Sequence, residues 1–188
     1  MSKYEDIKQI FEERVKKETF TMLCYEENSK SSMIISSKEN FNYDDVCKDL
    51  KTSDTLFIFE KNIDFIEFKD VNKTRFSDRK FISQLRLKAI ESYVTFYNFL
   101  NENLYIISKD EVSDLNLNYI FVFNKDKFIN KPTLLNTFSA LQSKWTKHYS
   151  RFYNKISFID NDAFVKKYKI WKNSPLFYSI KYQDQCLL

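Results

Sequence analysis

The chain has 188 residues, enough for one domain with a sizeable core, and its 19 Phe and 12 Tyr predict that this core is aromatic-rich. Glycine is absent, which excludes every phosphate-cradling glycine-rich loop: the P-loop, the dinucleotide fingerprint and the kinase loop. Net charge is +4 but uneven, because nine Lys or Arg and only two acids lie between Lys131 and Lys172, giving +7 there and −3 elsewhere. Without glycine, turns fall to Asn, Asp and Ser. The single histidine, His148, argues against a histidine-centred metal cluster and a Ser-His-Asp triad. Cys24, Cys47 and Cys186 are odd in number and lack metal-ligand spacing. The N-terminus is charged and amphipathic, and no apolar run approaches a membrane span of about 18 residues. Reduced thiols, a cytoplasmic location and no membrane partner are the expectation.

In chain order, residues 4–17 read as a helix, with Ile7, Ile10, Phe11 and Val15 at helical spacing. Residues 18–26 read as a strand, 28–32 as a loop, 33–35 as a short apolar stretch and 43–51 as a helix. Two strands follow at 54–60 and 63–69, joined by the polar turn Glu60-Lys61-Asn62. After a loop at 70–76, Ser77 is placed to cap a long helix reaching about residue 100. Ile82, Leu85, Ala89 and Phe96 form one stripe of it and Leu87, Ile90, Val94 and Tyr97 another, so it should be covered on most of its girth. Strands are expected at 104–108 and 119–123. Pro132 is placed to open a helix reaching about residue 154, and a shorter helix is expected at 160–170. The last residues have no clear pattern. Helix, strands, long helix, strands and helices predict an α/β fold: a mixed central sheet flanked by helices, with a C-terminal helical extension. One domain is expected, with an α/β core over 1–128 and a basic, aromatic, helical extension over 129–188.

The chemistry-bearing set lies on the central hairpin. Asp54 opens the first strand, and Glu67-Phe68-Lys69 closes the second. Side chains two apart on a strand share a face, which puts Glu67 and Lys69 together. Two carboxylates and a lysine suit a divalent cation and a water beside a phosphodiester. Mg²⁺ or Mn²⁺ fits, because a hard cation prefers oxygen and keeps several waters. Asp54 and Glu67 can supply carboxylate ligands and the Phe68 backbone carbonyl a third oxygen. Lys69 can orient the water or stabilise developing charge. An acid, any residue and Lys recurs at Asp6-Ile7-Lys8, Asp49-Leu50-Lys51 and Asp78-Arg79-Lys80. Only Glu67-Phe68-Lys69 sits within a strand-like apolar run. The bland alternative is a hairpin whose polar face meets water. Asp64, three residues before Glu67, falls on the opposite strand face.

Ser53-Asp54, thirteen residues ahead of Glu67-Phe68-Lys69, resembles the PD-(D/E)XK nuclease superfamily. That group includes restriction endonucleases and Holliday-junction resolvases. The resemblance covers roughly residues 1–125 and implies a restriction-endonuclease-like core of helix, three strands, helix and strand. It implies Asp54 and Glu67 on the metal and Lys69 as the catalytic lysine. An acid from the first helix, Glu12 or Glu13, joins the metal in such families, and Gln84 of the long helix adds to the catalytic set in some. Ser53 replaces the usual proline. Lys88 stands where the RecB-like branch carries a tyrosine four residues after the glutamine.

In the C-terminal third, Trp145, His148, Tyr149, Phe152 and Tyr153 interleave with Lys144, Lys147, Arg151 and Lys155. Basic groups neutralise phosphates and aromatic faces stack on bases, but an aromatic stripe at this spacing more simply packs on the sheet. The cations, with Lys166 and Lys167, are the expected nucleic-acid contacts. The resulting expectation is a metal-dependent endonuclease acting on DNA rather than RNA. The alternatives are a nuclease-like module that binds nucleic acid or protein without cleavage, or a subunit of a larger defence, recombination or viral complex. Homodimers and larger complexes both remain open as partners.

Overall fold

A computed structural model describes residues 2–27, 29–71, 73–104, 109–128 and 132–170. The first helix, α1 (Lys3–Arg14), begins in a capping box: the Ser2 hydroxyl accepts from the Glu5 N–H, and the Glu5 carboxylate accepts from the Ser2 N–H. Strand β1 (Lys17–Thr19) is short, because the Thr19 hydroxyl accepts from the Met22 N–H and caps a helical turn, α2 (Phe20–Leu23). The strand expected over 18–26 is therefore interrupted, and Phe20 and Leu23 are buried. A small hairpin follows, β2 (Tyr25–Glu26) with β3 (Ser31–Ser32).

Strand β4 (Glu39–Asn42) comes next, and of the helix expected over 43–51 only a single 3-10 turn (Tyr43–Asp45) forms. Tertiary contacts fix β4 in the sheet. Phe41 packs edge-on to Phe11 at 5.5 Å, and Asn40 donates to the Thr55 hydroxyl and the Leu56 carbonyl. Strands β5 (Thr55–Ile58) and β6 (Ile63–Lys69) form the expected hairpin, with Thr55 opposite Ile66 and Ile58 opposite Ile63. Residues Lys73–Ser77 form 3-10 turns where a loop was expected.

The long helix, α3 (Arg79–Leu104), starts one residue later than the Ser77 cap implied. Asp78 stands at its start: its carboxylate accepts from the Lys80 N–H and its carbonyl from the Ile82 N–H. The first stripe holds the core, with Leu85, Ala89 and Phe96 buried; Leu87 and Val94 of the second stripe are exposed, so the helix is covered on one side only. The helix also extends to Leu104, and 105–108 of the strand expected there lie outside the described residues. Beyond them come α4 (Lys109–Ser113) and β7 (Leu117–Phe123).

Helix α5 (Pro132–His148) opens at its proline as expected but stops short of residue 154. Tyr149, Phe152 and Tyr153 keep helical spacing in sequence, but they pack from a turn; the Tyr153 hydroxyl donates to the Ala89 carbonyl at 2.7 Å. Strand β8 (Lys155–Asp160) follows, and Asp160 caps α6 (Asn161–Lys167). The segment after 129 therefore contributes a strand as well as helices. Residues 171–188 lie outside the described residues.

The sheet is mixed, in the order β1-β4-β5-β6-β7-β8. Pairing is antiparallel from β1 to β6 and parallel from β6 to β8. Alternation divides its side chains between two faces. Phe65, Tyr119 and Phe121 meet α1, α3 and α5 on one face. Ile66, Phe68, Ile120 and Val122 meet α2 and α6 on the other. The core is aromatic-rich, as composition predicts: Phe65 alone lies within 6 Å of Tyr43, Phe96 and Tyr153, centroid to centroid. Among the described residues, by contrast, positive φ falls on lysines and not on Asn, Asp or Ser. Lys30 turns the β2–β3 hairpin at φ 48°, and Lys169 ends α6 at φ 51°. At Lys169 the Ile170 N–H returns to the Val165 carbonyl and the Lys169 N–H to the Lys166 carbonyl, a Schellman motif that offsets the strain.

Candidate active site

Asp54 is fixed before it does any chemistry. Its N–H donates to the Ile66 carbonyl at 3.0 Å, and its own carbonyl accepts from the Tyr43 N–H at 3.2 Å. The preceding residue is tied to the long helix, because the Ser53 N–H donates to the Ser92 hydroxyl at 2.8 Å. The Asp54 carboxylate then accepts from the Phe68 N–H at 2.6 Å, reaching from β5 to the end of β6. In an extended strand the N–H and C=O of one residue point to the same side, so the Phe68 carbonyl also faces Asp54.

Glu67 and Lys69 share the sheet face covered by α3, and the Glu67 side chain is fully buried. Its Oε1 lies 2.5 Å from the Lys69 Nζ. The second cation at Glu67 comes from α3. Lys88 Nζ lies 2.9 Å from Glu67 Oε1, 3.0 Å from Oε2 and 3.4 Å from Asp54 Oδ1. Two carboxylates therefore converge on one ammonium. Glu67 Oε1 thus has two ammonium groups at ion-pair distance, and they compensate its buried charge.

The electrostatics follow from this crowding. Burial first, then the neighbouring Glu67 charge, push the Asp54 carboxyl up to about 6 from 3.8; Lys88 and Lys69 oppose the rise. Burial works against the Lys88 charge, yet Glu67 and Asp54 outweigh it and hold the ammonium above its ordinary value. Asp70 directly follows β6 and lines the same cleft as Lys69 and Lys88. Burial disfavours its charge, but hydrogen bonds from Lys127 and Asn124 prevail and hold the carboxyl below its ordinary value.

A cleft of about 630 Å³ opens beside these groups. Lys51, Lys69, Arg75, Lys88 and Lys127 line it, against Glu26 and Asp70, and Gln84 stands on its wall one helical turn before Lys88. The cleft is thus cationic where it meets the carboxylate pair.

Of the residues singled out in the sequence, Asp54, Glu67, Phe68 and Lys69 are brought together, with Gln84 nearby. Glu13 is not. It is exposed on α1, where Gln9 donates to it at 2.9 Å, because Ile7 and Phe11 turn the opposite side of that helix into the core. Glu12 instead pairs with Lys17. Asp64 lies on the opposite sheet face, as alternation requires, and is held there by Lys167 and Tyr168. Among the described residues no group of three His, Cys, Asp or Glu side chains forms a metal cluster. Two carboxylates and a carbonyl still suit a hard cation that keeps most of its waters.

The basic residues of the C-terminal third are exposed but do not form one groove. Lys144 and Lys147 on α5, Arg151 in the turn after it, and Lys155 at the start of β8 belong to one side; Lys166 and Lys167 on α6 belong to the other. None of them lines the cleft. Trp145, Tyr149 and Tyr153 are buried, so the aromatic stripe packs on the sheet.

Sequence reasoning met Lys88 only as a departure from a family pattern. A signal was present: Leu85, Ala89, Ser92 and Phe96 are buried along α3, and a lysine set among them has to find a carboxylate. Lys51, Arg75 and Lys127 carry no such signal, because three separate loops and turns deliver them. Comparisons with protein families, with curated proteins and with solved structures find no match to this chain.

Proposed function

We propose that this chain is a metal-dependent endonuclease that hydrolyses phosphodiester bonds of DNA. One observation carries the reading: Asp54 and Glu67 converge on Lys88, Glu67 also pairs with Lys69, and both lysines line a cationic cleft. The order α1, antiparallel β4, β5 and β6, then α3 and parallel β7 supports the resemblance to the PD-(D/E)XK core. Asp54, Glu67 and the Phe68 carbonyl would hold Mg²⁺ or Mn²⁺. Such an ion supplies Lewis-acid polarisation of a phosphoryl oxygen and a more acidic water.

The chain's own groups have separate tasks. The Phe68 N–H orients the Asp54 carboxylate. Glu67 holds the Lys69 ammonium at the cleft mouth, where it can hydrogen-bond a water or a phosphoryl oxygen as negative charge grows. Gln84 is placed to orient the same water. Lys51, Arg75 and Lys127 give the flanking phosphates a cationic wall.

The test is incubation of the protein with plasmid, single-stranded and branched DNA in Mg²⁺, Mn²⁺ or EDTA. Products should form with metal and vanish with EDTA. Lys69→Ala should lower the rate by about 100-fold or more, while binding persists. Cleavage that survives both EDTA and Lys69→Ala overturns the reading. The cationic cleft by itself also favours a binding module, and salt-sensitive binding without any metal-dependent product would decide for that.

A further inference from the structure

The position between the two carboxylates is already taken. Lys88 Nζ touches both Glu67 oxygens and Asp54 Oδ1, whereas Lys69 touches only Glu67. A small divalent cation shared by the same oxygens would sit about 2.0–2.1 Å from them. Lys88, which bridges the two carboxylates, stands in the space that such an ion would take, and at that range the like charges repel; Lys69 meets Glu67 alone and is not in that space.

We propose that Lys88 is a resident counter-cation, and that metal binding and the Lys88 ion pairs are mutually exclusive. This inference rests on the metal reading above. In the metal-free protein Lys88 neutralises the carboxylate pair and keeps it assembled. When the metal enters, the ammonium leaves along its flexible stem into the cleft, which its side chain already lines. There it meets the place a substrate phosphate would occupy. Metal and polyanion then assist one another: the ion expels the ammonium, and the phosphate receives it.

The experiment uses the full chain and Mn²⁺ alone. Isothermal titration should find Mn²⁺ bound about tenfold more tightly by Lys88→Met, which removes the competitor but keeps the aliphatic stem. In wild-type protein, reductive methylation followed by peptide mass spectrometry should show Lys88 modified faster when Mn²⁺ saturates the site. Equal or weaker Mn²⁺ affinity in Lys88→Met overturns the proposal while leaving the metal reading intact. So does a Lys88 methylation rate that saturating Mn²⁺ leaves unchanged, and this wild-type result decides if the variant does not fold. Failure of both proteins to bind Mn²⁺ overturns the metal reading and this inference together.

Discussion

Asp54 carries a carboxyl raised to about 6 by burial and by Glu67, and this has a thermodynamic sign. The native state keeps the Asp54 proton to higher pH than the unfolded chain, which releases it near 3.8. Between those values the native state binds more protons, so Asp54 makes stability fall as pH rises through that window. Asp54→Asn keeps an oxygen for the Phe68 N–H but removes the titration. In EDTA, the variant should be more stable than wild type by about 2 kcal/mol at pH 7, with the difference fading below about pH 4. Urea unfolding at a series of pH values checks this; a difference that does not change with pH refutes it. The same residue shows what sequence can disclose. Strand alternation was enough to pair Glu67 with Lys69 and to exclude Asp64 from their face. Nothing local joins position 88 to position 54, because that contact exists only once α3 lies across the sheet.

Elements were legible where burial and local pattern agreed. The hairpin of β5 and β6 is an apolar run, a polar turn and a second apolar run, and each strand is nearly continuous in the core. Strand β4 was missed because only Phe41 of its four residues is buried, and its pairing partners lie in β1 and β5. Strand β8 was missed for a related reason: it alternates weakly and buries Ile156 alone. Helix α6 was foreseen, but the interaction that holds it was not. Asp64, buried on the far face, accepts from Asn62, Asn118, Lys167 and the Tyr168 hydroxyl. Asp64→Ala would leave two amides and a hydroxyl unanswered and should cost about 3 kcal/mol. Tyr168→Phe should cost about 1 kcal/mol. Lys167→Ala should cost about 0.5 kcal/mol, because its side chain is half exposed. Chemical denaturation of the three variants gives the ranking, and a Lys167 effect as large as that of Asp64 would contradict it.

Across the whole molecule, charge is distributed differently from its order in the chain. Among the described residues, the basic side chains of the C-terminal third become two exposed groups on opposite faces of the sheet, whereas the cleft draws its cations from positions 51, 69, 75, 88 and 127. If nucleic acid is gripped in the cleft, Lys51→Ala and Arg75→Ala should each lower the slope of log binding constant against log salt by about one. Lys166→Ala should leave it unchanged. Fluorescence anisotropy with a labelled oligonucleotide over a KCl series reads both, and the opposite pattern would transfer the grip to α6. The quartet of Asp54, Glu67, Lys69 and Lys88 adds a consequence for the order of events. Two anions and two cations cancel, so in the metal-free protein the quartet adds no net charge to the other cations of the cleft. Gaining a divalent ion leaves that neighbourhood with two uncompensated positive charges, and the cleft then attracts more strongly from a distance. Under the proposed reading, an ion that arrives first adds its charge to the standing cations of the cleft and strengthens the beacon for the strand that follows.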